Sequence, residues 1–328
     1  MTLTRPATQR WQRVLTSLLA TAGLLAACGG GTSQYEPFVA ERFFAFGDDN
    51  SAFTAQPAGN ASKYSVNGLD EAGNVDCRVL PIWVQSVASV YGFVFAECNP
   101  DNLPEPKARS FAAAGARVAD VAAQVEAAQA ATGGLRDKDL TTVLAGTNDI
   151  IDLYRLRYPV DGSAGVPSED ELLAEARERG KRLAQAVNRL VELGAKVIIS
   201  GLPNVGLTPF ALKEKAQHTD TDRAALLERL TNAFNEQLGV NILLDGRYVG
   251  LVQADLQFRA IADSPGSYGF SNVTVGACTV ELPACTTATL LPGANASQFL
   301  WADDTRFSSG AHAQMAALAV DRAQNNPF

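Results

Sequence analysis

The stretch from Ser168 to Ser200 constrains this chain most. Ser168 with Glu171 three residues on has the form of a capping box, and Leu172, Leu173, Ala176, Leu183, Val187, Leu190 and Val191 then recur at helical spacing up to Leu193. Gly194 stops that helix, and Val197-Ile198-Ile199-Ser200 follows as a strand with no polar face. A strand apolar on both faces needs cover above and below, which in a helix-to-strand crossover means a parallel sheet between helices. The same alternation recurs. Strands are expected at Arg42 to Phe46, Leu140 to Ala145 and Val249 to Ala254, and helices from Val118 to the stop at Gly133-Gly134 and from about Asp222 to Leu238. The chain therefore reads as a three-layer α/β/α sandwich around a mostly parallel sheet of about five strands. Elsewhere Trp83, Val87, Val90 and Tyr91 predict a helix within Ile82 to Phe95, with Gly92 where such a helix would end. Asn60 to Cys77 reads as a surface excursion, Asn99 to Lys107 and Tyr158 to Pro167 as loops, and Asp255 to Cys285 as a loop-rich insertion.

The first 27 residues carry Arg5, Arg10 and Arg13, then an apolar run ending Leu25-Ala26-Ala27-Cys28, the pattern of a bacterial secretory signal ending in a lipobox. On that reading residues 1–27 are a signal peptide, Cys28 is lipidated at the head of a tether covering 28–40, and 41–328 is one domain. A plain signal peptide is the alternative. The protein is then expected across the inner membrane, lipid-anchored in the envelope. Gly29 after Cys28 favours the outer membrane. The full chain has 27 basic and 35 acidic residues, net −8, and loss of the three arginines makes it −11. Nucleic acid is an improbable partner for such a surface. With Cys28 lipidated, Cys77, Cys98, Cys278 and Cys285 are an even set in an oxidising compartment. Three pairings are open, and sequence proximity favours Cys77 with Cys98 and Cys278 with Cys285. There is no Cys-x-x-Cys and only His218 and His312, so no metal site is expected.

The motifs lie at strand ends. Phe43-Phe44-Ala45-Phe46 runs into Gly47-Asp48-Asp49-Asn50-Ser51; Phe111-Ala112-Ala113-Ala114-Gly115-Ala116 precedes the Val118 helix; Gly146-Thr147-Asn148-Asp149 follows the strand at Leu140; Asp303-Asp304-Thr305-Arg306-Phe307-Ser308 precedes His312 near the end. Together these resemble the four blocks of the GDSL (SGNH) esterase and lipase family, in order, over roughly residues 42 to 323. The resemblance implies the hydrolase fold of that family, hydrolysis of acyl esters without a cofactor, and an acyl-ester or lipid-like ligand. It places the nucleophile at Asp49, oxyanion donors at Gly115 and Asn148, the orienting carboxylate at Asp303 and the catalytic imidazole at Arg306. Two of these positions depart from the family pattern, which has Ser at the first and His at the last.

Ester hydrolysis by such a site needs a hydroxyl nucleophile, an imidazole to take and return its proton, a carboxylate to orient the imidazole, and oxyanion donors. Only the last two remain. An aspartate attacking an ester would form a mixed anhydride with no imidazole to activate the water that must follow, and arginine is no base near neutral pH. Ser51 would be turned away and is expected as a helix-capping hydroxyl; His312 falls where the family has a second, buried histidine; His218 reads as a solvated loop residue. Asp49 and Arg306 instead have the charges to form a bidentate pair. The expectation is a catalytically impaired envelope protein. An esterase with an unconventional nucleophile and a purely structural lipoprotein are the alternatives.

Overall fold

The computed structural model describes residues 38–55, 59–160, 162 and 165–328, so the proposed signal peptide and Cys28 lie outside the described residues. Phe38 to Phe328 forms a single compact unit. Its strands β1 (Arg42–Gly47), β2 (Ala108–Ser110), β3 (Asp139–Leu144), β4 (Lys196–Ser200) and β5 (Val249–Val252) make one sheet in the order β2-β1-β3-β4-β5. Every pairing in it is parallel, with Arg42 opposite Asp139 and Gly47 opposite Leu144.

Side chains alternate across this sheet because the strand period is two. Phe44, Phe46, Val197 and Ile199 face helices α2 (Val118–Thr132), α3 (Thr147–Arg157), α4 (Glu169–Glu192) and α6 (Arg223–Asn241). Phe43, Ala45 and Ile198 face α1 (Trp83–Val90), α7 (Ala254–Asp263) and α8 (Ser309–Asn325). A short α5 (Pro209–Gln217) precedes α6, and a two-stranded ribbon of β6 (Asn272–Gly276) and β7 (Phe299–Trp301) precedes α8. The capping box at Ser168 is present, and α4 crosses α6 so closely that a Cβ at Gly180 would lie 2.1 Å from the Phe234 carbonyl oxygen. Any larger residue there pushes the helices apart. Among the described residues no helix is long and apolar enough to cross a membrane.

The three-layer architecture is as expected, and both disulfides, Cys77–Cys98 and Cys278–Cys285, are formed. Several local expectations are corrected. Helix α1 ends at Val90, short of Phe95 and at the expected Gly92 stop, where the Gly92 N–H turns back to Ser89 and Gly92 takes φ 71°. The segment from Asp255, expected as a loop-rich insertion, starts within helix α7, its Phe258 and Ile261 buried, and β5 ends at Val252 rather than Ala254; residues 147–157 and 209–217, with no element expected there, are helical.

Asn60 to Cys77 is no simple surface excursion, since Lys63, Ser65, Val66 and Asn67 are buried. Their polar groups serve backbone that has no sheet partner. Asn67 Nδ2 donates to the Pro283 and Cys285 carbonyls, Ser65 Oγ to that of Phe307, and Lys63 Nζ to those of Cys77, Val79 and Leu80 at 2.8–3.0 Å. A Gly/Asn/Asp/Ser-rich composition marks irregular backbone, and irregular backbone can be buried when side chains satisfy it.

Candidate active site

Parallel strands with helical crossovers leave a crevice at their C-terminal edge, and the conspicuous motifs meet there. Strand β1 ends at Gly47, whose φ of 128° and closeness to Leu144 exclude a side chain: a Cβ would lie 1.8 Å from the Leu144 oxygen. Gln124 grips this glycine from α2 by accepting from its N–H at 2.8 Å and donating to its carbonyl at 2.9 Å. The chain then makes one turn of 3₁₀ helix over Asp49–Ser51, with Asp48 Oδ1 accepting from the Asn50 N–H. That turn carries Asp49 into the crevice, 4% exposed.

Asp49 is held on every side. Its Oδ2 accepts from the Gly115 N–H at 2.9 Å and from Asn148 Nδ2 at 3.0 Å, while Oδ1 accepts from Arg306 Nε at 2.8 Å. Arg306 in turn donates through Nη1 to Asp303 Oδ2 at 2.7 Å, and Asp303 Oδ1 accepts from the Thr305 and Arg306 N–H groups, so the turn locks the guanidinium in place. The five predicted positions, Asp49, Gly115, Asn148, Asp303 and Arg306, thus form one continuous network. The two donors that the family resemblance assigns to an oxyanion hold a carboxylate oxygen of the chain itself. Burial works against the Arg306 charge, but Asp49 and Asp303 together hold its pKa above the usual arginine value.

Other residues in and around the crevice lie within the same motifs, but the resemblance assigns them no role. Asn50 Oδ1 accepts from the Phe307 N–H at 3.0 Å, joining the first motif to the last. Asp149 Oδ2 accepts from the Val118 N–H at 2.9 Å and its backbone carbonyl from Arg179, which ties the start of α2 to α3 and sets Gly115 against Asn148. Asp48 is buried beside Asp49 with Oδ2 unpartnered, and burial, then Asp49, push its pKa well above the normal carboxylate range. Hydrogen-bonding residue types next to a turn are common, and only tertiary contact distinguishes these.

The residues weighed as substitute catalytic groups are occupied elsewhere. Ser51 is not a capping hydroxyl, for Asp48 caps that turn and Ser51 Oγ accepts from the Trp83 indole at 3.1 Å in the core. His312 is buried in the first turn of α8 against Phe307, its Nδ1 3.4 Å from the Trp83 N–H and its Nε2 unpartnered. Burial lowers its pKa to about 3, so the ring is neutral at physiological pH. His218 ends α5, half exposed, 3.7 Å from Glu214.

An open cleft of about 720 Å³ borders the network, lined by Arg306, Asp303, Asp304, Lys213 and Glu281 together with Val275, Val280, Leu282 and Leu291.

The chain is similar in structure to a G-D-S-L family lipolytic protein from Veillonella parvula (14% identity, 85% of this chain and 96% of that one, TM-score 0.43). A lipase from a goat rumen metagenome (12%, 88% and 99%, 0.47) and an acetylxylan esterase from Geobacillus stearothermophilus (14%, 88% and 96%, 0.45) are similar to a comparable degree. No curated protein sequence matches it. The model of the GDSL-like lipase/acylhydrolase family matches residues 43–319, from the second residue of β1 into α8, and the chain belongs to that family.

Proposed function

We propose that this chain is a catalytically impaired member of its family, a lipid-anchored envelope protein that keeps the hydrolase fold and has closed the reaction centre with an internal ion pair. The observation that carries this reading is the position of the Asp49 carboxylate, with one oxygen on Gly115 and Asn148 and the other on Arg306. A substrate carbonyl entering the crevice would have to displace that oxygen from both donors and find neither hydroxyl nor imidazole beside it. In a serine hydrolase such as subtilisin, loss of the serine or the histidine costs on the order of 10⁶ in kcat. The Asp49 carboxylate, with both oxygens engaged, has no imidazole near it to activate water against an anhydride.

The open cleft, with four aliphatic residues in its lining, supports a role in holding an acyl-ester or other lipid-like ligand without turning it over. Membrane association through Cys28 and an outer-membrane location rest on the sequence pattern at residues 1–28. The test is hydrolysis of short p-nitrophenyl esters by the purified protein, with a serine-reactive fluorophosphonate probe alongside. The expected result is neither turnover above buffer nor labelling; turnover abolished by Asp49→Ala would establish a carboxylate nucleophile and overturn the reading.

A further inference from the structure

All five sheet strands are parallel, so the chain enters the sheet at the edge opposite the crevice, and Phe38 to Ala40 lie there just before β1. The loop between α6 and β5 reaches the same edge. It turns Ile242 into the core but leaves Leu243 50% and Leu244 60% exposed, next to an exposed Val240. This loop is pinned rather than loose. Asn188 donates to the Asn241 carbonyl at 2.9 Å and accepts from the Leu243 N–H at 2.8 Å, and Asn326 donates to the Gly246 carbonyl at 3.1 Å. The C-terminal residues link it to the point of entry, since Phe328 packs edge-on against Phe38 at 5.6 Å, beside Val39, which is 66% exposed.

Bordering these aliphatics, Tyr248 lies beneath Lys196 Nζ and Arg247, 4.5 and 5.6 Å from the ring centroid. Aliphatic tips ringed by a tyrosine and long basic side chains suit the headgroup boundary of a bilayer, where the stems lie in the apolar zone and the charges stay wet. Chain length supplies the second argument. If Cys28 carries lipid, only residues 28–37 separate the anchor from Phe38, a span of at most roughly 35 Å. A second contact at the edge where this tether attaches adds to retention.

We propose that the N-terminal edge of the sheet, through Val39, Val240, Leu243 and Leu244, rests on the lipid surface, which turns the Asp49–Arg306 crevice away from the bilayer. The inference rests on the lipidation of Cys28 advanced above. Arg247 is paired with Asp245, Lys138 with Glu41 at the same edge, and the chain is acidic overall, so the contact draws on the aliphatic tips and does not require anionic lipid.

The test reconstitutes the full lipidated protein in vesicles of phosphatidylethanolamine and phosphatidylcholine, with an environment-sensitive fluorophore on Leu244→Cys or, as a control remote from this loop, on the exposed Leu156→Cys. Nitroxide-labelled lipid is expected to quench the label at 244 about threefold or more and to leave that at 156 unchanged, with little effect of salt. A second measurement needs no substitution: amide exchange over residues 243–248 should slow on reconstitution while that over 153–158 does not. Mass of the Cys28 peptide separates the two failures. Acylated protein with no quenching and no protection overturns the docking face alone, whereas an unacylated Cys28 removes the anchor reading and the docking face with it.

Discussion

Asp49 and Lys63 are both ionisable side chains buried in irregular backbone, and their surroundings are opposites. Asp49 meets a guanidinium and two N–H donors, a full counter-charge plus dipoles. Lys63 meets three carbonyls, dipoles only, with Asp76 as a distant counter-charge. Burial accordingly lowers the Lys63 pKa from 10.5 to about 7. The contrast separates a crevice where a carboxylate and a guanidinium pair from a strut where a charged group ties down loops. It also says which variants should change chemistry and which only stability.

The largest stability loss should come from the strut. Lys63→Ala takes the ammonium from the Val79 and Leu80 carbonyls and leaves that of Cys77 with Gln85 Nε2 alone, and a loss of about 3–5 kcal/mol by urea unfolding is expected. A change under about 1 kcal/mol would show that water replaces the ammonium at no cost. Lys63→Met sharpens the point through pH. Because the folded value lies below the unfolded one, the folded chain binds fewer protons between about pH 7 and 10.5, and wild-type stability should rise relative to Lys63→Met across that window.

Next comes the ion pair. Arg306→Ala strands the Asp49 carboxylate, but Arg306 is 31% exposed and Gly115 and Asn148 still donate, so about 2–4 kcal/mol is expected, below the upper figures for a buried pair. With Asp49→Ala in a double-mutant cycle, a coupling of about 1–3 kcal/mol should appear; additive losses would remove the pair from the account of stability. His312 gives an effect confined to acid, about 1–2 kcal/mol by about pH 5.5. Its folded pKa of about 3 lies below the ordinary 6.5, so stability is whole above pH 6.5 and falls as pH drops toward 3. His312→Gln should flatten that part of the profile, whatever it does to stability at neutral pH.

Asp48 should give the smallest change. Its raised pKa means that the folded state holds a proton the unfolded state has released, so stability declines as pH rises above the ordinary carboxylate range. Asp48→Asn removes the buried ionisation and should be neutral or stabilising by up to about 1 kcal/mol at pH 7; a marked loss would mean that the carboxylate is required charged.

The crevice was more legible in the sequence than the strut, for a physical reason. Asp49, Gly115, Asn148, Asp303 and Arg306 sit at strand ends and turns in fixed order, where a local motif reports the chemistry the edge of the sheet will carry. The layers were legible because α4 and β4 have unmixed periodicity and clean stops. Lys63, Asn67 and Asn50 were not, because their partners lie in other segments and a polar run looks the same whether water or backbone answers it. Helix α7 was hidden by the turn-rich residues that follow it, and Ser51 was misread because its partner, Trp83, is 32 residues away.

Restoring the family pair tests the central claim most directly. In Asp49→Ser with Arg306→His, the hydroxyl would stand beside Gly115 and Asn148, and the imidazole beside Asp303, which already fixes the backbone at position 306. Esterase activity on p-nitrophenyl acetate is expected in the double variant and in neither single variant nor the wild type, since the hydroxyl and its base act as a unit. Wild-type turnover that persists undiminished in Asp49→Ala would contradict the closed-site reading, and so would a correctly folded double variant with no activity at all.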